Sequence, residues 1–260
     1  MRRFWKTGSL GLVVTGFLTL AVVSSGQDAG ISTAKTPYVR TGSEVTLSGT
    51  IFLRGKRPRP RIIDMSADPV CEEVSSDFQT EDVVGHRNSL ANVVVFVKSE
   101  TLDKYLFDKP TSPAVIQHQG CRYVPHVLGL RTGQELMIRN SDPATHNTHP
   151  NPKKNDEWNQ SQPPGAAPII KSFNQSEIFP LKDNQHPWER AYIAVFNHPF
   201  FAVSDEFGNY RIENLPAGRY TVTAWHERFG ESAVEITLVP GEARDVSFEF
   251  EVGRESPKKK

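Results

Sequence analysis

From residue 43 onward the apolar residues of this chain recur at every second position rather than every third or fourth, the pattern of half-buried strands. Val45 and Leu47, then Ile51 and Leu53, mark a first strand, and the basic, proline-studded stretch Arg54-Gly-Lys-Arg-Pro-Arg-Pro-Arg61 follows as a solvated loop. Ala91-Asn-Val-Val-Val-Phe-Val97 is a β-branched run without alternation, which reads as a strand buried on both faces. Arg131-Thr-Gly133 turns into a strand at Glu135-Leu-Met-Ile-Arg139, and Asn140-Ser-Asp-Pro143 ends it. Residues 151–168 are rich in Asn, Pro, Gly and Lys and carry no apolar period, so they read as a long functional or mobile loop. No amphipathic helix of about twelve or more residues can be drawn anywhere. The chain reads as all-β.

The C-terminal part is the most regular. Asp205-Glu-Phe-Gly208 is a turn, and Asn209-Tyr-Arg-Ile-Glu213 a strand with Tyr210 and Ile212 on one face. Leu215-Pro-Ala-Gly218 turns into a strand ending at Ala224-Trp225; Val234, Ile236 and Leu238 alternate next, and Pro240-Gly241 leads to Val246, Phe248 and Phe250. Turns at that spacing predict a four-strand meander within a β-sandwich.

The first 26 residues have a different character. Arg2, Arg3 and Lys6 precede an apolar run from Leu10 to Val23, closed by Ser24-Ser25-Gly26. That is the layout of a secretory signal peptide, and the run falls short of the roughly 20 residues a spanning helix needs. An uncleaved anchor is the alternative. These residues carry three of the 30 basic side chains and none of the 30 acidic ones, so the remainder has a net charge of about −3. That balance speaks against nucleic acid as a partner. Export also bears on Cys71 and Cys121: an oxidising compartment and an even count predict a disulfide, with Cys121 as a thiolate metal ligand the rival reading.

Candidate chemistry centres on residues 181–190, Leu-Lys-Asp-Asn-Gln-His-Pro-Trp-Glu-Arg. Asp183, His186 and Glu189 are spaced to converge at the tip of one loop.

Two resemblances place that loop. Asp205-Glu-Phe-Gly-Asn-Tyr-Arg-Ile-Glu-Asn-Leu-Pro-Ala-Gly-Arg-Tyr-Thr-Val222 resembles the carboxypeptidase regulatory-like domain, a small transthyretin-like accessory sandwich without catalytic residues of its own. The resemblance covers about residues 200–252, with earlier strands of that family resembling 44–54 and 91–98. Between them, Gly120-Cys-Arg-Tyr-Val-Pro-His-Val-Leu-Gly-Leu-Arg-Thr-Gly-Gln-Glu-Leu-Met-Ile-Arg-Asn-Ser-Asp-Pro-Ala-Thr-His-Asn147 is similar to the segment that delivers the first copper-binding histidine of plastocyanin- and amicyanin-like cupredoxins, which implies that role for His146. The family's remaining ligands follow the pattern Cys-x-x-His-Pro-aromatic-Met, and here that loop reads Asp183-Asn-Gln-His186-Pro-Trp-Glu189. The resemblance therefore implies a cupredoxin-like Greek-key sandwich joined to or inserted in a transthyretin-like sandwich. The corresponding layout is a signal peptide over 1–26, a flexible lead over 27–42, N-terminal sandwich strands over 43–100, the cupredoxin-like unit over 101–198, the regulatory-like unit over 199–252 and a basic tail over 253–260.

Both sulfur ligands are replaced by carboxylates. A blue copper centre rests on a soft thiolate and a weak axial thioether, and oxygen donors are indifferent to Cu(I), so the family's electron-carrier role is the lesser alternative here. Two readings of the remaining site stand. In one, His146, Asp183, His186 and Glu189 hold Cu(II) or Zn(II), with His149 as an added or neighbouring ligand. In the other, the same side chains form a metal-free network of imidazole–carboxylate pairs. Trp188 and Trp225 are candidates for stacking on sugar rings, against the reading that such aromatics fill the seam between the two β units. No Gly-x-Ser-x-Gly, His-Glu-x-x-His or phosphate loop occurs, which reads as a non-catalytic protein. The expectation is a secreted or periplasmic binding or scaffold protein, partnered by a protein or glycan of the cell envelope and without a membrane span after signal cleavage.

Overall fold

The computed structural model describes residues 35–254 together with Gly8. The expected signal peptide and the end of the basic tail lie outside the described residues. Strands β1 (Thr36–Pro37) and β2 (Val45–Arg54) precede a short helix, α1 (Pro69–Val74), and β3 (Val94–Lys98). Then come β4 (Tyr105–Leu106), β5 (Ala114–His118), β6 (Tyr123–Val124), β7 (Val127–Arg131), β8 (Glu135–Asn140) and β9 (His146–Pro150). They are followed by β10 (Gln160–Gln162), β11 (Ile169–Ser172), β12 (Glu177–Lys182), β13 (Arg190–Phe196) and β14 (Phe201–Val203). The chain closes with β15 (Asn209–Leu215), β16 (Gly218–His226), β17 (Gly230–Leu238), β18 (Ala243–Asp245) and β19 (Phe248–Glu251). No helix among the described residues is long and apolar enough to cross a membrane.

These strands build two sandwiches, one set into the other. The outer sandwich pairs the sheet β14-β3-β16-β17 with the sheet β15-β2-β18, with β19 also bonded to β2. Its core holds Val45, Leu47, Ile51, Val95, Tyr220 and Val222. Because β2 and β3 come from one end of the chain and β14 to β19 from the other, everything between β3 and β14 is an insertion. That insertion is the second sandwich, with sheets β10-β9-β12-β13-β7 and β11-β8-β5-β6 closing over Ile116, Tyr123, Leu136, Ile138, Phe179 and Ile193.

The run around β3 explains how the two units hold together. Val93, Val95 and Val97 point into the outer core, while Val94 and Phe96 point the other way, onto Val127, Ala194 and Phe196 of the inserted sandwich. A strand with both faces buried has no reason to alternate, and each side chain so buried contributes roughly 1.5–3 kcal/mol. Trp225 belongs to the same seam, its ring 5.2 Å from that of Tyr192.

Four expectations from the sequence need correction. The last strands are not a meander: β16 and β17 stay together as a hairpin, but β15 and the pair β18, β19 cross to the other sheet and flank β2. The reason is that β2 arrives from the N-terminal side as a ready partner with two open edges. The segment 151–168 is not wholly loop, because β10 pairs with β9 and Gln162 is buried there, its amide donating to Ile138 O and Ala167 O. Nor is the described part of the lead free. Thr36–Pro37 pairs with Tyr105–Leu106, and Tyr38 packs on Tyr105 and Phe107, each ring 5.2 Å away. The basic loop is also partly anchored, since Arg57 donates to the carbonyls of Arg87 (3.0 Å) and Ser89 (2.5 Å).

The connection from β2 to β3 forms an arm that reaches the inserted sandwich. Asp68 caps α1 by accepting from Val70 N and Cys71 N. Cys71 is joined to Cys121 by a disulfide, and Arg122 donates to Asp77 O (3.0 Å) and Glu81 Oε2 (3.0 Å) on the arm.

Two buried histidines make the fold sensitive to acid. Burial holds the pKa of His226 down to about 3, with nearby His126 and Arg228 adding to it against Asp82. Burial likewise holds His198 down to about 4, with Arg131 adding and Asp103 opposing. Both are neutral in the folded state and ordinary in the unfolded chain. Their contribution is therefore complete above the unfolded value of about 6.5 and is lost as pH falls toward 4 and 3. Urea unfolding at pH 5 should give a stability about 1–2 kcal/mol lower per histidine than at pH 7. His198→Asn and His226→Asn together keep an acceptor for the amides of Phe200 and Arg228 that these rings bond; a pH profile no flatter than wild type would refute the assignment.

Candidate metal centre

The site lies at one end of the inserted sandwich and is built from the 183–189 loop upward. Asp183 Oδ1 accepts from Gln185 N (2.7 Å) and His186 N (3.1 Å), the turn that an aspartate with a following polar residue favours. Glu189 N closes the loop onto His186 O at 2.8 Å, and Asp183 N onto Glu189 O at 3.2 Å. This winding aims Asp183, His186 and Glu189 at one point. His146 enters as the first residue of β9, where alternation turns His146, Thr148 and Pro150 inward.

The four side chains meet at their inner atoms. His146 Nδ1 lies 2.9 Å from Asp183 Oδ2 and 2.9 Å from Glu189 Oε2. His186 Nδ1 lies 3.1 Å from His146 Nδ1 and 3.1 Å from the same Asp183 Oδ2. All four residues are buried. One ring proton cannot serve all these neighbours: the His146 Nδ1 contact aligned for a hydrogen bond is the one to Asp183, and Glu189 Oε2 is a buried acceptor without an aligned donor despite its short distance. Four donors around a tetrahedral ion at zinc–nitrogen distances would stand ~3.3 Å apart. The four separations above are slightly tighter than that, and the ligand atoms of His146, Asp183 and Glu189 all lie within 4.8 Å of one another, a spacing that fits a small divalent cation.

The outer atoms are held just as firmly, by residues that sequence reading missed. His146 Nε2 meets Asp142 Oδ2 at 3.1 Å, and His186 Nε2 meets Asp68 Oδ2 at 3.1 Å. His118, at the end of β5, bonds Glu189 Oε1 through Nδ1 at 2.7 Å and Thr148 Oγ1 through Nε2 at 3.1 Å. Its ring stacks on that of His146 with centroids 4.3 Å apart, and its ligating atom lies within 4.8 Å of those of His146, Asp183 and Glu189. Imidazoles whose far nitrogen is fixed by a carboxylate are the usual support of a metal site, because the far bond sets ring orientation and tautomer. Asp142 showed in the sequence only as part of a strand-ending turn, and Asp68 and His118 carried no spacing signal at all.

His149 turns away from this point. On a strand it faces opposite to His146, and it bonds Asn184 Oδ1 (3.1 Å) and Glu157 Oε1 (2.6 Å) instead. Trp188 covers the site, its ring 5.2 Å from that of His186 and its Nε1 donating to Cys121 O at 3.2 Å. Cys121 is thus much nearer the loop tips than its place before a strand implied. It is oxidised with Cys71, and neither sulfur is a thiolate in this state. Trp225 lies in the seam between the sandwiches, away from these residues.

The electrostatics follow from the geometry. Burial pushes the His146 ring toward neutrality, but hydrogen bonds to Asp142 and Asp183 and the nearby Glu189 carboxylate outweigh it and raise its pKa to about 11. Burial would raise Asp183, yet the bonds from His146, His186 and the amides of Asn147 and His186 hold it far below the usual carboxylate range. Asp142 is lowered in the same way by His146, Cys121 N and Gly120 N. His186 is raised, its burial outweighed by Asp183 and Asp68. The cluster is a trap for positive charge.

The carboxypeptidase regulatory-like domain family matches residues 181–251, starting some way before the motif read in the sequence. No curated protein matches the chain. Similar solved structures include the copper-containing nitrite reductase of Thermus scotoductus SA-01, at 16% identity and a TM-score of 0.31, where 33% of this chain covers only 22% of that one. A purple cupredoxin from Nitrosopumilus maritimus is 17% identical over 32% of this chain and 99% of its own, with a TM-score of 0.28. Amicyanin from Paracoccus versutus is 19% identical over 34% of this chain and 86% of its own, with a TM-score of 0.30. Both families named from the sequence are among these matches.

Asp142 is the test of the supporting shell. It accepts from Gly120 N (2.7 Å) and Cys121 N (2.9 Å) as well as from His146. Asp142→Ala leaves those groups buried without an acceptor and should cost about 2–4 kcal/mol in urea unfolding with the disulfide intact. Asp142→Asn keeps an acceptor for the amides and should cost clearly less. Equal, small losses in both would mean that Asp142 supports nothing.

Proposed function

We propose that this protein binds one divalent cation, zinc(II) or copper(II), through His146, Asp183, His186 and Glu189, and acts as a non-catalytic binding protein of the cell envelope. The observation that carries the reading is the orphaned Glu189 Oε2, 2.9 Å from His146 Nδ1, a nitrogen that itself lies 2.9 Å from Asp183 Oδ2 and 3.1 Å from His186 Nδ1. Two imidazoles and two carboxylates are borderline and hard donors, suited to Zn(II) or Cu(II) and poor for Cu(I). A bound ion there supplies positive charge and, where ligands exchange, a Lewis acid. The chain's own residues orient the rings and keep water out: Asp142 and Asp68 hold the outer nitrogens, and Trp188 covers the edge of His186.

An electron-carrier role is disfavoured by the same residues. No sulfur ligand favours the reduced metal, and the imidazole nearest the surface has its outer nitrogen held by Asp68 beneath Trp188. Export is supported by the disulfide, which persists in oxidising compartments.

Calorimetric titration of the oxidised protein with Zn(II) should give one site per chain. Asp183→Asn and Glu189→Gln should each weaken it by at least about tenfold, as loss of even an indirect partner of a metal does. A folded protein that takes up neither Zn(II) nor Cu(II) would end the proposal in favour of a metal-free network. The Cu(II) form should lack the intense visible band of a copper–thiolate bond, whereas the double variant Asp183→Cys, Glu189→Met should acquire it if residues 146 and 186 sit as described. A blue wild-type protein, or a folded but colourless double variant, would contradict that ligand geometry.

A further inference from the structure

His146 and His186 each present a second ring nitrogen on the side away from Asp183 and Glu189, and a different donor set gathers there. Sγ of Cys71, a carboxylate oxygen of Asp68 and a ring nitrogen of His186 lie within 4.8 Å of one another; so do Sγ of Cys121, a carboxylate oxygen of Asp142 and a ring nitrogen of His146. The two triads touch at the disulfide itself. Cys71, Cys121, Asp142, His146 and His186 are all buried. A staple that only tied the arm to the sandwich would need neither a histidine nor an aspartate within ligand reach of each sulfur.

We propose that the dithiol form of this protein is a second metal-binding form. In it the thiolates of Cys71 and Cys121, with the imidazoles of His186 and His146, hold zinc(II) or another thiophilic ion, and disulfide formation abolishes that site. Sulfurs joined to each other are uncharged and weak donors, whereas two thiolates beside two imidazoles make a tetrahedral set of the kind zinc prefers. The interconversion balances with a dithiol reductant: its two electrons and two protons open the Cys71–Cys121 bond, it leaves as its own disulfide, and the two thiol protons are released when the ion binds. This donor set shares the His146 and His186 rings with the oxygen-containing one proposed above, through their outer nitrogens, but its sulfur donors stand whether or not that set binds an ion.

The arm has to stay in register once the sulfur–sulfur bond is open, and it has other holds. Asp68 caps α1 and bonds His186, Asp142 accepts from Gly120 N and Cys121 N, and Arg122 bonds Asp77 O and Glu81. Trp188 Nε1 reaches Cys121 O from the loop that carries His186. Each sulfur is thus placed by contacts that survive reduction.

The experiment uses the full chain, unfolded and reduced with a phosphine, then refolded without oxygen in the presence of cobalt(II), a coloured stand-in for zinc. The expected result is a near-ultraviolet sulfur-to-cobalt charge-transfer band that is absent from cobalt-treated disulfide protein and displaced by zinc. Cys71→Ser and Cys121→Ser should each keep a weaker band from the remaining thiolate. Zinc should also slow alkylation of the two thiols by about tenfold or more, since the bound thiolate is no longer a free nucleophile. Folded, reduced protein without the sulfur band overturns the proposal, and so does a reduced chain that fails to fold with the ion present. Disulfide protein that ignores zinc, beside reduced protein that shows the band, would refute only the oxygen-donor reading above; the reverse pair of results would refute only this one.

Discussion

A carboxylate taken out of water must find positive charge or hydrogen-bond donors, and this end of the molecule is arranged around that demand. Asp183 and Glu189 are buried against the His146 ring, with Asp142 buried behind it. Left unpaired, each such charge would cost several kcal/mol. Part of the answer is backbone hydrogen bonding: Asp183 accepts from the amides of Asn147, Gln185 and His186. The rest comes from the imidazoles of His118, His146 and His186, and under the proposed reading a divalent ion would also satisfy Glu189 Oε2, which no aligned donor reaches. The loop, the outer carboxylates and the arm can all be read as consequences of keeping that charge balance away from solvent.

The arm is the least expected of these. It leaves the outer sandwich after β2, crosses to the inserted one, and returns as β3. Along that excursion it brings Asp68 to His186 and Cys71 to Cys121. A chain that merely linked two sandwiches would need no such detour, since β3 already fastens them through Val94 and Phe96. The detour is explained by what it covers.

How much of this was legible in the sequence divides by range. Local periodicity carried the strands: the two-faced burial of residues 93–97 and the inward Tyr210 and Ile212 are where alternation, or its absence, put them. The 183–189 loop was legible because its three candidate residues sit within one turn, so spacing alone aims them together. The partner strands were not, since β2 lies far from β15 and β19 in sequence and no local pattern states which edge it will fill. Asp68, His118 and Asp142 escaped for the same reason, being brought to the site by the arm, by the parallel pairing of β5 with β8, and by the β8–β9 turn. His149 was misjudged by counting residues without applying the strand's two-residue period.

The closure of the site bears on what its oxygen donors would do under the proposed reading. Electron transfer requires a metal that binds comparably in both oxidation states and a short path to the surface. Asp183 and Glu189 remove the first condition, and Asp68 with Trp188 over the His186 ring removes the second. The two changes reinforce each other chemically, because hard anionic ligands are strongest where water is excluded, and the cover that excludes water also ends the path for an electron. A site with only one of these features would be either an exposed, weakly held dication or a sealed redox centre with no exit. With both, the task the proposed reading gives it is to hold an ion and keep it.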